Sequence, residues 1–244
     1  MNDFRRANSA PKLRDVQTML EQAHYALPGD VAAAFKRLDT LEALRPAERD
    51  AQTLRKAYGD GADAKEIDRH ALDAVAYGLK RGAWSEALSD VGSGGLSVVR
   101  LHVDDVVEHL RERAEAAIAD LMWWGEAKKP SPALLLRSNK VAEAKRASNI
   151  ENTFAELQVV RKLRAAVSPE RFPWGLMAFE NFDAHAGVNV GDVETLTDAI
   201  AEGGRLWWPS WSKALQAQSR IEMNTAEKAR AEEAERRDIR RSAL

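Results

Sequence analysis

The most continuous pattern of apolar positions in the chain lies between Leu96 and Trp124, LSVVRLHVDDVVEHLRERAEAAIADLMWW, bracketed by GSGG before it and Gly125 after it. Apolar residues recur at Val99, Val103, Val106, Leu110, Ala114, Ala117, Leu121 and Trp124. These alternating steps of three and four bring side chains to one face of an α-helix. With no Pro or Gly to interrupt it, the stretch is expected to form one helix of roughly 43 Å, at about 1.5 Å per residue. Shorter helices on both sides can pack along its stripe, so it is expected to be the central element.

The segments before it also read as helices. Leu13, Val16, Met19, Leu20 and Ala23 share a face up to the stop at Pro28-Gly29, and Val31, Phe35, Leu38 and Leu41 share another after Asp30. Pro46 is expected to start a helix that ends near Gly59. Ile67, Leu72, Val75 and Ala76 then form the expected inner face of a helix over 64–79, closed by Lys80, Arg81 and Gly82. Trp84 to Val91 reads as a short helix, and Gly92-Ser93-Gly94-Gly95 as a hinge that lets the central helix change direction.

After Trp124, GEAKKPSP is the clearest linker. Two helices follow, over 133–147 and 149–167, with a kink near Ser148. An aromatic segment comes next (Phe172, Trp174, Phe179, Phe182), then a helix capped by Asp192. The last helix keeps an apolar stripe only through Trp211, Leu215 and Ile221, and its tail carries Glu-to-Arg pairs such as Glu232 with Arg236 and Glu233 with Arg237. Nothing alternates at the strand period. The expected fold class is therefore all-α, a bundle of about nine or ten helices around one long central helix, with a projecting charged C-terminal helix. The expected organisation is a flexible arm (1–11), a helical body (12–124), a linker (125–132), a second helical unit (133–209) and the charged helix (210–244).

Composition narrows the class further. Hydrophobic residues at 45%, charged residues at 30% and a formal net charge of −2 describe a folded chain without a global field for nucleic acid. The absence of cysteine removes disulfides, thiolate zinc sites and cysteine nucleophiles. No apolar run is long enough for a membrane span and the start lacks a signal-peptide core, so a cytoplasmic protein is expected. Abundant Ala, Arg in excess of Lys and scarce Ile point to a GC-rich genome, bacterial or phage.

Candidate chemistry is sparse. His102, Asp105 and His109 would share one face of an unbroken helix, but Glu112 and Arg113 continue that face as a solvated side, and neither HExxH nor paired ExxH occurs. No metal or other cofactor is expected. No GxSxG, SxxK or P-loop is present, so no catalytic residue is assigned and no small-molecule substrate is evident. Charge is segregated. Residues 126–164 hold nine Lys/Arg (Lys128, Lys129, Arg137, Lys140, Lys145, Arg146, Arg161, Lys162 and Arg164) against four Glu, whereas residues 59–125 hold seven basic and thirteen acidic residues. The nine basic residues are candidates for contact with nucleic acid, although on a helical wheel Arg137, Lys140, Lys145 and Arg146 spread around the axis.

Seven tryptophans are the most unusual feature. Trp123 and Trp124 end the expected central helix, and Trp207, Trp208 and Trp211 precede the charged tail. Large rigid rings at junctions either wedge helix ends into a core or anchor an interface. Neighbours on a helix point about 100° apart, so one residue of each pair is expected to face a second surface. The leading expectation is a non-enzymatic protein of interaction or assembly, by self-association or with a protein partner, such as a structural component of a phage particle. A nucleic-acid-binding regulator is the alternative and an enzyme of unidentified reaction the third.

Overall fold

A computed structural model of the chain describes residues 9–47, 52–169, 172–185 and 187–242. Among them are eleven helices: α1 (Ser9–Gln22), α2 (Gly29–Ala43), α3 (Gln52–Gly59), α4 (Ala64–Leu101), α5 (Val103–His109), α6 (Arg111–Glu126), α7 (Pro132–Arg137), α8 (Val141–Ser148), α9 (Ile150–Val167), α10 (Val193–Ala201) and α11 (Trp211–Ser242). The only extended pairing among the described residues is an isolated antiparallel bridge between Phe179 and Leu206. The protein is all-α, and none of its described helices is long and apolar enough to cross a membrane.

The chain divides into two compact units, one ending at His102 and the other beginning at Val103. The division expected at 125–132 instead falls inside the second unit. The long central helix is α4, 38 residues running straight through the GSGG segment. The stretch expected as one helix is three pieces: the end of α4, then α5, then α6, separated at His102 and Leu110. His102 closes α4 with its backbone near the bridge region (φ −101, ψ 17), and Asp104 and Asp105 favour a new helix start through the dipole of the first turn. Each break consumes a single residue, so the three-four spacing continues across it. Val99, Val103, Val106, Leu110, Ala114, Ala117 and Leu121 are all buried.

In the first unit, α1, α2 and α3 each pack on α4. Leu13, Val16 and Leu20 of α1 and Val31, Ala34, Phe35 and Leu38 of α2 supply the core, against Leu96 and Val99. Arg14 joins α1 to α2 through Asp39 at 2.6 Å and Glu42 at 2.7 Å. Trp84 Nε1 donates to the Leu41 carbonyl at 2.7 Å, fixing the end of α2 on α4. The glycines of GSGG serve this packing. A Cβ on Gly92 would lie 2.4 Å from the Ala10 backbone nitrogen, and one on Gly95 would lie 2.3 Å from Leu13 Cδ2. They are a notch for α1, not a hinge. Ser9 to Pro11, expected in the arm, are the first turn of α1, and Ser9 Oγ donates to the Ser89 carbonyl at 2.8 Å. Residues 1–8 of that arm lie outside the described residues.

In the second unit, α6 packs along α9, with α10 on α6 and α5 on α9. Gly125 lets α10 approach: a Cβ there would lie 2.7 Å from Ile200 Cγ2. Residues 133–147 form two helices, not one, because Asn139 takes a left-handed conformation (φ 59) between α7 and α8. Asn149 then separates α8 from α9, one residue beyond the expected kink. The buried stripe of α11 consists of Ala214 and Ala217, with Ile221 beside Met177 and Phe182, while Leu215 is 42% exposed. Of the expected stripe, Trp211 and Ile221 do face neighbouring side chains, whereas Leu215 points outward and Ala214 and Ala217 take its place.

Candidate functional site

Two features stand out, one in each unit. The first is a helix face. Leu72, Val75 and Leu79, spaced to share one face of α4, are 71%, 61% and 71% exposed. Ala76 is exposed with them and Ile67 is half-buried, so the face expected to point inward is mostly uncovered. Ala71 and Gly78 border the stripe, leaving room for another helix to approach closely. The buried part of α4 is confined to its last third, at Gly92, Gly95, Leu96 and Val99.

The second feature is a stack built on the C-terminal turn of α9. Arg164 is only 2% exposed, and its Cζ lies 3.9 Å from the ring centres of both Trp174 and Trp208. Each indole is held in place. Trp174 Nε1 donates at 2.9 Å to Ser168 Oγ, which itself donates to the Arg164 carbonyl at 2.6 Å, and Trp208 Nε1 donates to the Val107 carbonyl at 2.9 Å. Phe172 and Trp211 extend the cluster, with ring centres 4.6 Å apart. The Trp211 backbone N–H donates to Asp104 Oδ1 at 3.2 Å.

Among the described residues the guanidinium has no hydrogen-bond partner for Nε or Nη1. Arg161, one turn earlier and half-buried, gives Nη1 to the Val190 carbonyl at 3.3 Å. Burial pushes Arg161 down to about 10, and burial together with the charge of Arg161 pushes Arg164 down to about 9. No carboxylate among the described residues offsets either shift. Buried charges are ordinarily paired, because desolvating a cation costs several kcal/mol.

The other basic candidates are dispersed. Arg146 bonds Asp120 at 2.5 Å and lies 4.5 Å over the Trp123 ring. Lys129 bonds Glu194 at 2.5 Å and Asp198 at 2.7 Å. Although burial lowers its pKa, the hydrogen bonds to Asp198 and Glu194 prevail and raise it. Lys140 bonds Glu143 at 3.1 Å. Lys128, Arg137, Lys145 and Lys162 are exposed but stand on separate elements, from the turn after α6 through α7, α8 and α9. The nine residues are thus spread over the turn after α6 and over α7, α8 and α9, with Lys129, Lys140 and Arg146 paired to carboxylates.

The tryptophans are absorbed locally. Trp123 and Trp124 both pack on Leu135, Ala144 and Ala147, because α7 and α8 fold around the end of α6 and meet side chains pointing in different directions. Trp207 packs on Met177, Phe182 and Ala217 and donates Nε1 to the Met177 carbonyl at 2.7 Å. Trp207 and Trp208 thus face different surroundings, the Met177 cluster and the Arg164 stack, and Trp123, Trp124 and Trp207 each remain partly exposed. His102, Asp105 and His109 do not share a helix, since α4 ends before His102, whose Nε2 lies 2.9 and 3.0 Å from the Asp30 carboxylate oxygens. Among the described residues no group of three or more His, Asp or Glu could hold a metal ion. No family model, curated protein or solved structure matches the chain.

The sequence had singled out Trp208 and Arg164 for separate reasons, but not their contact. The signal was present in FPW at 172–174, an aromatic turn a few residues beyond a basic helix end.

Proposed function

We propose that the protein is a non-enzymatic assembly component that associates with a second copy of itself through the Leu72, Val75 and Leu79 face of α4. The observation that carries this reading is the exposure of all three residues on one helical face. Scattered exposed apolar residues are ordinary on a protein surface, but an ordered stripe at helix spacing has the pattern of a packing face without its partner. Small flanking residues at 71 and 78 suit a helix as the covering element. The residue bias supports a bacterial or phage assembly as the setting. The dispersal and pairing of the basic residues weigh against nucleic acid as the partner.

The absence of cysteine allows a direct test. A nitroxide on Val75→Cys is expected to lose mobility as protein concentration rises, while one on Glu112→Cys, at an exposed position of α6, stays mobile. Equal mobility of the two labels at every concentration contradicts the reading.

A further inference from the structure

We infer that Arg161 and Arg164 form a binding site for one oxyanion of the phosphate class, received at the edge of the Arg164 guanidinium between Trp174 and Trp208. The two indoles cover both faces of the guanidinium at 3.9 Å. Cation–π attraction compensates part of the burial, but it acts through the faces and leaves the in-plane N–H groups unused. A guanidinium closed on both faces can be approached only in its own plane, where oxyanions form charge-assisted hydrogen bonds. Nε and Nη1 of Arg164 are buried donors without acceptors among the described residues, and each costs free energy until it is satisfied.

Charge selects the class of ligand. Arg161 and Arg164 lie one turn apart on the same face of α9, and no carboxylate among the described residues compensates them. A carboxylate ligand would neutralise one charge. A phosphate dianion neutralises both, with enough oxygens to accept from each guanidinium. Arg161, less buried than Arg164, stands on the solvent side, while Ser168, Val107 and Val190 hold the surrounding elements in place before the ligand arrives. This inference concerns the second unit and is independent of the association proposed for α4.

The test is a titration of the full chain with inorganic phosphate at about pH 8, where phosphate is a dianion, against chloride at matched ionic strength. Arginine Nε–H resonances and tryptophan fluorescence report together. The expected result is one saturable site, with Kd on the order of 1 mM or tighter, and a downfield movement of the Arg164 Nε–H signal. Arg164→Met should abolish the response. Arg161→Gln, which keeps a donor for the Val190 carbonyl, should weaken it roughly tenfold, the loss of one charge-assisted hydrogen bond. Should the Met variant fail to fold, the Gln variant and the wild-type Nε–H signal still decide the matter. Tighter binding of phenyl phosphate would indicate a phosphate group carried on a larger molecule, and equal binding the free ion; both support the site. An absent response, a response that both variants retain, or acetate binding as well as phosphate would overturn it.

Discussion

Gly92 and Ala10 cross backbone to backbone: a Cβ on Gly92 would sit 2.4 Å from the Ala10 nitrogen and 2.7 Å from its Cα. Neither atom belongs to a flexible side chain that can turn aside. Gly92→Ala must therefore push α1 off α4, with a loss of about 2 to 4 kcal/mol, in the range of a strained core substitution. Gly94 lies in the same helix with open space where its Cβ would be. Gly94→Ala is expected to stabilise by about 0.5 to 1 kcal/mol through helix propensity. Urea unfolding of the two variants separates a helical notch from a hinge, since a hinge would give no gain at Gly94.

Burial distinguishes two leucines that the sequence treats alike. Leu110 is fully buried, and Leu110→Ala should cost about 2 to 5 kcal/mol. Leu79 is 71% exposed, and Leu79→Ala should change the stability of the dilute, unassociated chain by less than about 0.5 kcal/mol. Chemical denaturation at low protein concentration checks both.

The Arg164 stack gives a stability test distinct from ligand binding. Arg164→Ala removes the filling between two fixed indoles and should be less stable than Arg164→Met by about 2 to 5 kcal/mol, the cost of the cavity. Arg164→Met keeps most of the volume and removes an unpaired buried charge, so its melting temperature should stay near that of the wild type. The pH dependence has a definite sign. Burial, and then the neighbouring Arg161, pushes the folded-state pKa of Arg164 down to about 9. Above that pH the unfolded chain holds more protons than the folded one, so the wild type gains stability relative to the Met variant as pH rises from about 8 to 10.5. A flat difference across that window would contradict the assignment.

At acid pH the relevant pair is Asp30 and His102. The hydrogen bond from the imidazole, at 2.9 to 3.0 Å, holds the Asp30 carboxyl below the usual carboxylate range. A depressed acid contributes stability above its unfolded pKa and loses it as pH falls through the folded value. Asp30→Asn should therefore be less stable than wild type near neutrality, by a small amount because the pair is exposed. The difference should vanish as pH is lowered toward about 2. Urea midpoints across that range provide the check.

These elements show what the pattern of residues carries. The three-four spacing from Val99 to Leu121 correctly marked buried positions, since every one of them is enclosed within its own unit. It could not mark the breaks at His102 and Leu110, because a break that consumes one residue leaves the spacing intact. The glycines at 92 and 95 read as a hinge because Gly has low helix propensity, and only the approach of Ala10 and Leu13 reveals their use. Leu72 and Val75 were legible as part of a face, with Ile67 and Ala76, but not as an uncovered one, since periodicity does not report whether a partner lies in the same chain. The contact of Arg164 with Trp174 and Trp208 depends on how the chain between α9 and α11 folds back, which short-range pattern does not encode.

Self-association through the α4 face is decided by sedimentation equilibrium on the wild type and on the Leu72→Lys, Leu79→Lys double variant. The wild-type mass is expected to rise with concentration to a multiple of 27.1 kDa, while the double variant, with equal helical content, remains a monomer. A wild-type chain that stays monomeric at its highest soluble concentration, or a double variant that associates equally well, would contradict it.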